Sequence, residues 1–353
     1  MPVLHRQESV LSVTILKVVK NGAITLKSRL LLAPMAGITD LPFRLITRSL
    51  GCEFAFLEMI SARSIVHQSG KTGRMLNSCK EDSPLGAQLL GHEAETLLKA
   101  MDKVLPLGFD IIDLNAACPV DKVVKKGKGA SLLKDPKKVQ TLLEAMVKHT
   151  DLPVTVKIRA GWSSTSVNAC EVARYAEDAG ISGLTLHGRT REQGYSGRVD
   201  YNIIRQVKEA VSIPVIASGD ALSPQLIKKM FDETGCDAVA IARGSLGNPW
   251  IFRDTMTYLE KGVVPERPGP DELADIMLRH LNLNCDFYGD KRGVILFRKL
   301  FAWYVKGLHE ARQLKDQAFK AETREEMLSL LESVRTYAYS HHGGNYEGFA
   351  LTC

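Results

Sequence analysis

The chain has 353 residues, of which 45% are hydrophobic and 24% charged, and a formal net charge of +6. This is ordinary globular composition and excludes a wholly disordered, collagen-like or disulfide-scaffold chain. No uninterrupted apolar run reaches the roughly 18 residues that a membrane span needs, and His5, Arg6 and Glu8 precede any long apolar block, so neither a membrane partner nor a secretory signal is expected.

Residues 1–21 read as an N-terminal extension, with an edge hairpin onto 23–26. Short apolar, β-prone runs then recur at 30–34, 54–58, 86–90, 111–115, 154–158, 183–187, 214–218 and 238–242. Helical stretches separate them at 93–104, 136–149, 167–179, 201–210 and 224–231, and Gly108, Gly180 and Gly235 fall where a left-handed cap is wanted. Near-continuous apolar runs fit strands buried on both faces of a parallel sheet. Eight strand–helix units make a (β/α)8 TIM barrel over 22–258 the economical α/β fold. A doubly wound open sheet is the alternative, but it opens on a glycine-rich strand–helix turn, and LAPMAGIT at 32–39 is not that turn.

After about Arg253 the pattern changes. A proline-rich connector at 262–270 leads into helical stretches at 271–281, 296–308 and 322–338, an all-helical domain over 259–339. The polar, glycine-containing tail 340–353 reads as flexible. Two loops, 61–83 and 118–136, are long and would emerge at the C-terminal face of the barrel, where barrel active sites lie.

Seven cysteines stand singly, the count is odd, and no Cys-x-x-Cys pair or suitably spaced histidine completes a zinc set, so reduced thiols and no metal are expected. Charge is concentrated. Seven lysines face two aspartates between 120 and 138, and seven bases face one glutamate between 291 and 315. Two such patches are solvated helix faces or a grip on a phosphate backbone. Among the second patch, Phe301, Trp303 and Tyr304 read as helix core rather than a base-stacking surface.

The strand ends carry polar side chains: Gln88, Asn115, Lys157, Arg159, His187, Arg189, Ser218, Asp220 and Arg243. Each alone has a structural explanation, but a lysine buried at a barrel mouth requires an anionic or electron-rich partner. Gly219 and Gly244, in the loops after the last two strands, allow backbone N–H groups to approach an anion, and Arg243 adds charge. A phosphorylated cofactor fits these loops, and flavin mononucleotide (FMN) fits best. Cys118 directly follows a strand end, and a thiol of ordinary pKa near 8.5 is protonated at neutral pH, which suits a general acid.

Residues 33–40 (APMAGITD) with Pro42-Phe43-Arg44, residues 113–119 (DLNAACP), 126–130 (KGKGA), 132–136 (LLKDP), 156–162 (VKIRAGW), 187–197 (HGRTREQGYSG), Gly219-Asp220 and 242–244 (ARG) together resemble the tRNA-dihydrouridine synthases, in particular their bacterial B-type branch, from about 22 to 308. The resemblance implies an FMN-bound barrel with a helical tRNA-binding domain. In that family NADPH, or NADH in its place, reduces the flavin, which then reduces the C5–C6 bond of a uracil in tRNA. It implies Pro34, Met35 and Ala36 under the flavin ring, and Gln88, Lys157 and His187 contacting it. Ser218, Gly219, Asp220, Ala242, Arg243 and Gly244 would hold ribityl and phosphate, Asn115 and Arg189 would face the uracil, and Cys118 would be the acid. A cytoplasmic monomer is expected. The chain departs from the family at Ala117, where glycine is usual, and at Leu300, where Arg298-Lys299 is usually followed by histidine. Ribosomal RNA as substrate, an FMN barrel oxidoreductase acting on a small molecule, and an RNA-binding protein with an inactive barrel are the rival readings.

Overall fold

The computed structural model describes residues 13–16, 24–26, 28–67, 70–308 and 311–341. The expected hairpin is present as β1 (Val13–Leu16) paired antiparallel with β2 (Ile24–Leu26), in a sheet of its own. The main sheet holds β3 (Leu30–Leu32), β4 (Phe54–Phe56), β5 (Ile60–Ser61), β6 (Leu85–Leu90), β7 (Ile111–Asn115), β8 (Val154–Arg159), β9 (Gly183–His187), β10 (Val215–Ser218) and β11 (Ala238–Ile241). All its pairings are parallel. The ring closes through β4 on β6 and β11 on β3, which gives the expected eight-stranded barrel. The unexpected strand, β5, arises because the run 54–58 leaves the ladder after Phe56 and meets β6 again only at Ile60, opposite Leu89.

The strands alternate between two environments. Leu31, Phe54, Phe56, Ile111, Ile216, Ala238 and Ala240 fill the barrel interior, and Leu26 joins them. Ile112, Leu114, Val156, Ile158, Leu184 and Leu186 face the surrounding helices. Both faces are dry, which is why the strands read as unbroken apolar runs. Register then brings polar residues together: Gln88 opposite Asp113, Asp113 opposite Thr155, Asn115 opposite Lys157 and Arg159 opposite His187.

The helix Ile251–Lys261 continues past Arg253 and ends at left-handed Gly262. Four more helices follow: Pro270–Tyr288, Asp290–Tyr304, Ala311–Lys320 and Arg324–His341. The sequence pattern misses Ala311–Lys320, because that helix buries only Ala311, Leu314 and Ala318 in an otherwise polar stretch. The last helix runs to His341, into the range expected as tail; residues 342–353 lie outside the described residues.

The helical region shares one continuous core with the barrel. Phe43 of the first barrel helix, Leu41–Arg48, packs on His280, and Trp250 packs edge-on to Tyr304. Phe301 and Tyr304 are buried and Trp303 is half-buried, as a core reading requires. Leu300 is buried in the same core. Gly247 (φ +65°) lies against the helix Asp290–Tyr304 so closely that a Cβ there would sit 2.3 Å from the Trp303 carbonyl. Two polar ties reinforce the joint: Tyr288 Oη donates to Asp40 Oδ2 at 2.8 Å, and Lys299 Nζ donates to the Gly37 carbonyl.

His280 is wholly buried, and burial pushes its imidazole down to about 3. An unfolded chain binds a proton here below about 6.5 that the folded chain refuses, so stability is full above that pH and is lost as the pH falls towards 3. Acidification from pH 7 to 5 is expected to cost about 2 kcal/mol from this group. Urea unfolding at the two pH values checks this, and His280→Gln is expected to reduce the pH 7-to-5 difference by about that amount.

Candidate active site

A cavity of about 340 Å³ opens at the C-terminal end of the barrel strands. Of the residues expected to hold cofactor, bind substrate or donate the proton, fourteen line it: Pro34, Met35, Ala36, Gln88, Asn115, Cys118, Lys157, His187, Ser218, Gly219, Asp220, Ala242, Arg243 and Gly244. Arg189, expected at the uracil, does not line it. Its guanidinium is buried and donates to Asp220 Oδ1 and Oδ2 at 3.0 and 2.7 Å and to the Ser196 and Gly197 carbonyls. Asp220 also receives Arg243 at 3.1 Å, and its backbone is left-handed (φ +51°), unusual for a residue other than glycine.

Cys118 sits on the loop after β7, 7% exposed, with Gly129 packed beneath it. Burial raises its thiol above the ordinary value of 9.0, although the Val120 amide and the charges of Arg159 and Lys122 pull the other way. The thiol is therefore protonated at neutral pH. The loop is held by Asn115, whose Oδ1 accepts the Ala117 and Cys118 amides at 3.1 and 2.9 Å. Asn115 Nδ2 donates to Gln88 Oε1 at 2.7 Å. Ala117 fits this loop with its side chain nearly buried, and its carbonyl accepts Arg159 Nε at 2.8 Å.

On the neighbouring strands β8 and β9 the groups are basic and poorly satisfied. Lys157 Nζ and His187 Nδ1 are buried without a hydrogen-bond partner. Burial pulls the Lys157 ammonium down to about 8, against the attraction of Asp113. Burial, then the charges of Arg159, Lys157, Arg189 and Arg243, holds His187 well below the ordinary imidazole range, so it is neutral. A site with a buried ammonium and a neutral imidazole aimed into it is built for an electron-rich or anionic occupant. The two orphaned atoms fit the polar edge of a flavin ring. The turns at Gly219 and Gly244, with Arg243 beside them, fit a phosphate.

The cavity also takes Arg159, Met59 and Tyr195. Arg159 was legible as a strand-end base; Met59 was hidden because it occupies the break between β4 and β5. Tyr195 is 56% exposed at the mouth, with the Arg159 and Arg243 guanidinium groups 5.7 and 5.3 Å from its ring centre. In the first basic patch, Lys122, Lys125, Lys126, Lys134, Lys137 and Lys138 are exposed, and Lys134 covers Trp162 at 3.6 Å. In the second basic patch Lys291, Arg292, Lys306 and Arg312 are exposed, but Arg298 donates to the Ala321 carbonyl. Among the described residues no group of three or more His, Cys, Asp or Glu side chains could hold a metal ion, and no helix is long and apolar enough to cross a membrane.

The dihydrouridine synthase (Dus) family pattern matches residues 31–339. The tRNA-dihydrouridine synthase B of Pseudomonas aeruginosa is 42% identical over 303 residues, covering 86% of this chain and 91% of its own. That of Pasteurella multocida is 40% identical over 311 residues, covering 88% and 93%. A histamine dehydrogenase structure from Rhizobium sp. 4-9 superposes with a TM-score of 0.52 at 13% identity, over 88% of this chain and 62% of its own; that likeness concerns the fold alone.

At Gly129 (φ +60°) a Cβ would stand 2.7 Å from the Cys118 carbonyl. Gly129→Ala is expected to cost about 2 kcal/mol in urea unfolding and to make the Cys118 thiol alkylate faster, as the loop above it is pushed out.

Proposed function

The chain belongs to the dihydrouridine synthase family, and we propose that it reduces the C5–C6 bond of specific uridines in tRNA to 5,6-dihydrouridine, with FMN in the barrel mouth, NADPH as the transient reductant and Cys118 as the acid. The observation that carries the reading is a buried, protonated thiol lining the same cavity as the unpartnered Lys157 and His187. When bound, the flavin supplies the hydride that goes to uracil C6. Gln88, Lys157 and His187 would hold its ring and Pro34, Met35 and Ala36 would lie beneath it. Ser218, Gly219, Ala242, Arg243 and Gly244 would take the ribityl and phosphate, with Asp220 fixing Arg243 by its ion pair.

Cys118 Sγ gives its proton to C5, completing the addition of hydride and proton across the double bond. The thiolate left behind meets the Val120 amide and the positive charges of Arg159 and Lys122, which ease its formation. Asn115 holds the Cys118 loop in place through the two backbone amides it accepts. Arg189 supports the floor through Asp220. The uracil must leave the RNA stack to enter this mouth, at least cost from a single-stranded loop. The exposed lysines of 120–138 and the bases of 291–315 would grip tRNA phosphates, with the barrel, 22–258, doing the chemistry and the helices, 259–339, binding RNA. A cytoplasmic monomer suits this role.

Mass spectrometry of RNA from cells with and without the gene tests the substrate: a gain of about two daltons at a uridine of tRNA is expected. The same gain in ribosomal RNA only, or a purified protein that is colourless and takes up no flavin, would overturn the reading. Cys118→Ala is expected to keep flavin, its reduction by NADPH and tRNA binding, and to lose about 10²–10⁴ in the rate of uridine reduction. Because burial raises the thiol, the midpoint of the pH dependence of Cys118 alkylation by iodoacetamide, read by mass spectrometry of its peptide, is expected to lie above the ordinary value of 9.0.

A further inference from the structure

Asp113 lies at the start of a one-way chain of buried hydrogen bonds that ends on the Cys118 loop. Its Oδ1 accepts Thr155 Oγ1 at 2.6 Å and its Oδ2 accepts Gln88 Nε2 at 2.7 Å. Gln88 Oε1 then accepts Asn115 Nδ2 at 2.7 Å, and Asn115 Oδ1 accepts the Ala117 and Cys118 amides at 3.1 and 2.9 Å. Asp113, Gln88, Asn115 and Thr155 are each no more than 5% exposed. Asp113 is not among the residues that line the cavity.

The direction of this chain is set at its two ends and not by the side-chain amides between them: the carboxylate only accepts, and the Ala117 and Cys118 N–H groups only donate. A carboxamide presents a donor at one end and an acceptor at the other, and turning it by 180° exchanges them with almost no change of shape. An ionised carboxylate only accepts. With a carboxylate at 113, Gln88 must turn its NH₂ towards it and its oxygen towards Asn115. Asn115 must then turn its NH₂ towards Gln88 and its oxygen towards the loop. Were Gln88 reversed, Asn115 would follow and face the Ala117 and Cys118 N–H groups with a donor, leaving both amides buried and unpaired. Burial lifts the Asp113 carboxyl to about 6, opposed by the donors at Thr155 and Gln88 and by the Lys157 charge, so the group still ionises at neutral pH.

We propose that Asp113 is a positioning residue for the proton donor: its acceptor-only carboxylate sets the polarity of the Gln88 and Asn115 amides and thereby fixes the Cys118 loop, two side chains away. The proposal rests on the reading of Cys118 as the acid, but its geometry is measurable without RNA.

In the unaltered, flavin-loaded protein the Ala117 and Cys118 backbone amides are expected to exchange with deuterium at least tenfold more slowly than an open loop. Exchange at open-loop rates overturns the proposal without any variant. Three variants then separate polarity from packing. Thr155→Val removes one donor and keeps the carboxylate, so the chain keeps its direction, and the rate of Cys118 alkylation by iodoacetamide is expected to stay within twofold of the parent. Asp113→Asn with Thr155→Val leaves a carboxamide at 113 and no hydroxyl that can turn to accept it, so the chain keeps its direction only by burying that NH₂ unpaired and is otherwise free to reverse. Alkylation of Cys118, read by mass spectrometry of its peptide, is expected to rise at least fivefold. Adding Gln88→Glu restores an acceptor-only group facing Asn115, and the rate is expected to return towards the parent. A double variant that alkylates like Thr155→Val, or a triple variant that stays as fast as the double, overturns the proposal. Loss of uridine reduction in Cys118→Ala tests the acid role separately, so the two ideas fail on different results.

Discussion

An ammonium group enclosed at the mouth of the barrel with no acceptor in reach is the constraint from which the rest of the site follows. Lys157 has no counter-ion at hydrogen-bond distance, and His187, in register two residues past it on the next strand, has a ring nitrogen equally unserved. Leaving such atoms unpaired costs a folded chain free energy, and at the mouth of a cavity an occupant can complete them. The residues around them keep the cavity polar and shaped. Asp220 draws Arg189 and Arg243 aside into ion pairs, and Arg159 is tied to the Ala117, Thr190 and Gly194 carbonyls. Three guanidinium groups thus serve as fixed scaffolding as well as charge.

The network around Asp113, on β6, β7 and β8, obeys a different rule. There the buried polar groups are satisfied, and the satisfaction is directional: the backbone N–H groups donate to Asn115, Asn115 to Gln88, and Gln88 and the Thr155 hydroxyl to the Asp113 carboxylate. The site therefore pairs groups that need an occupant with a network that is complete without one. The first suits a dissociable cofactor, and the second suits a donor whose position must not depend on whether the cofactor is present.

Much of this was legible in the residues. Strands buried on both faces announce themselves as apolar runs, and the polar positions at their C-terminal ends announce a mouth. What the pattern could not carry was the point at which the chain leaves the ladder. Arg159 is still within β8, opposite His187, and faces the cavity; Arg189 lies two residues beyond the end of β9 and is turned into the floor. The two look alike in sequence. The interruption between β4 and β5 hid Met59 for the same reason. Contacts across great sequence separation were equally silent: nothing in the local residues ties Lys299 to the Gly37 carbonyl or Tyr288 to Asp40. Those bonds anchor the helical region to the very loop that carries Pro34, Met35 and Ala36.

Gly247 gives this joint an evolutionary consequence. Because the backbone of the last barrel loop rests directly on the backbone at Trp303, the contact has no side chain that compensating substitutions could reshape. The appended helices are therefore not an interchangeable module. A lineage could diversify their outer surface for new substrates, but grafting a foreign appendix onto this barrel would have to reproduce a main-chain fit, which recombination seldom achieves.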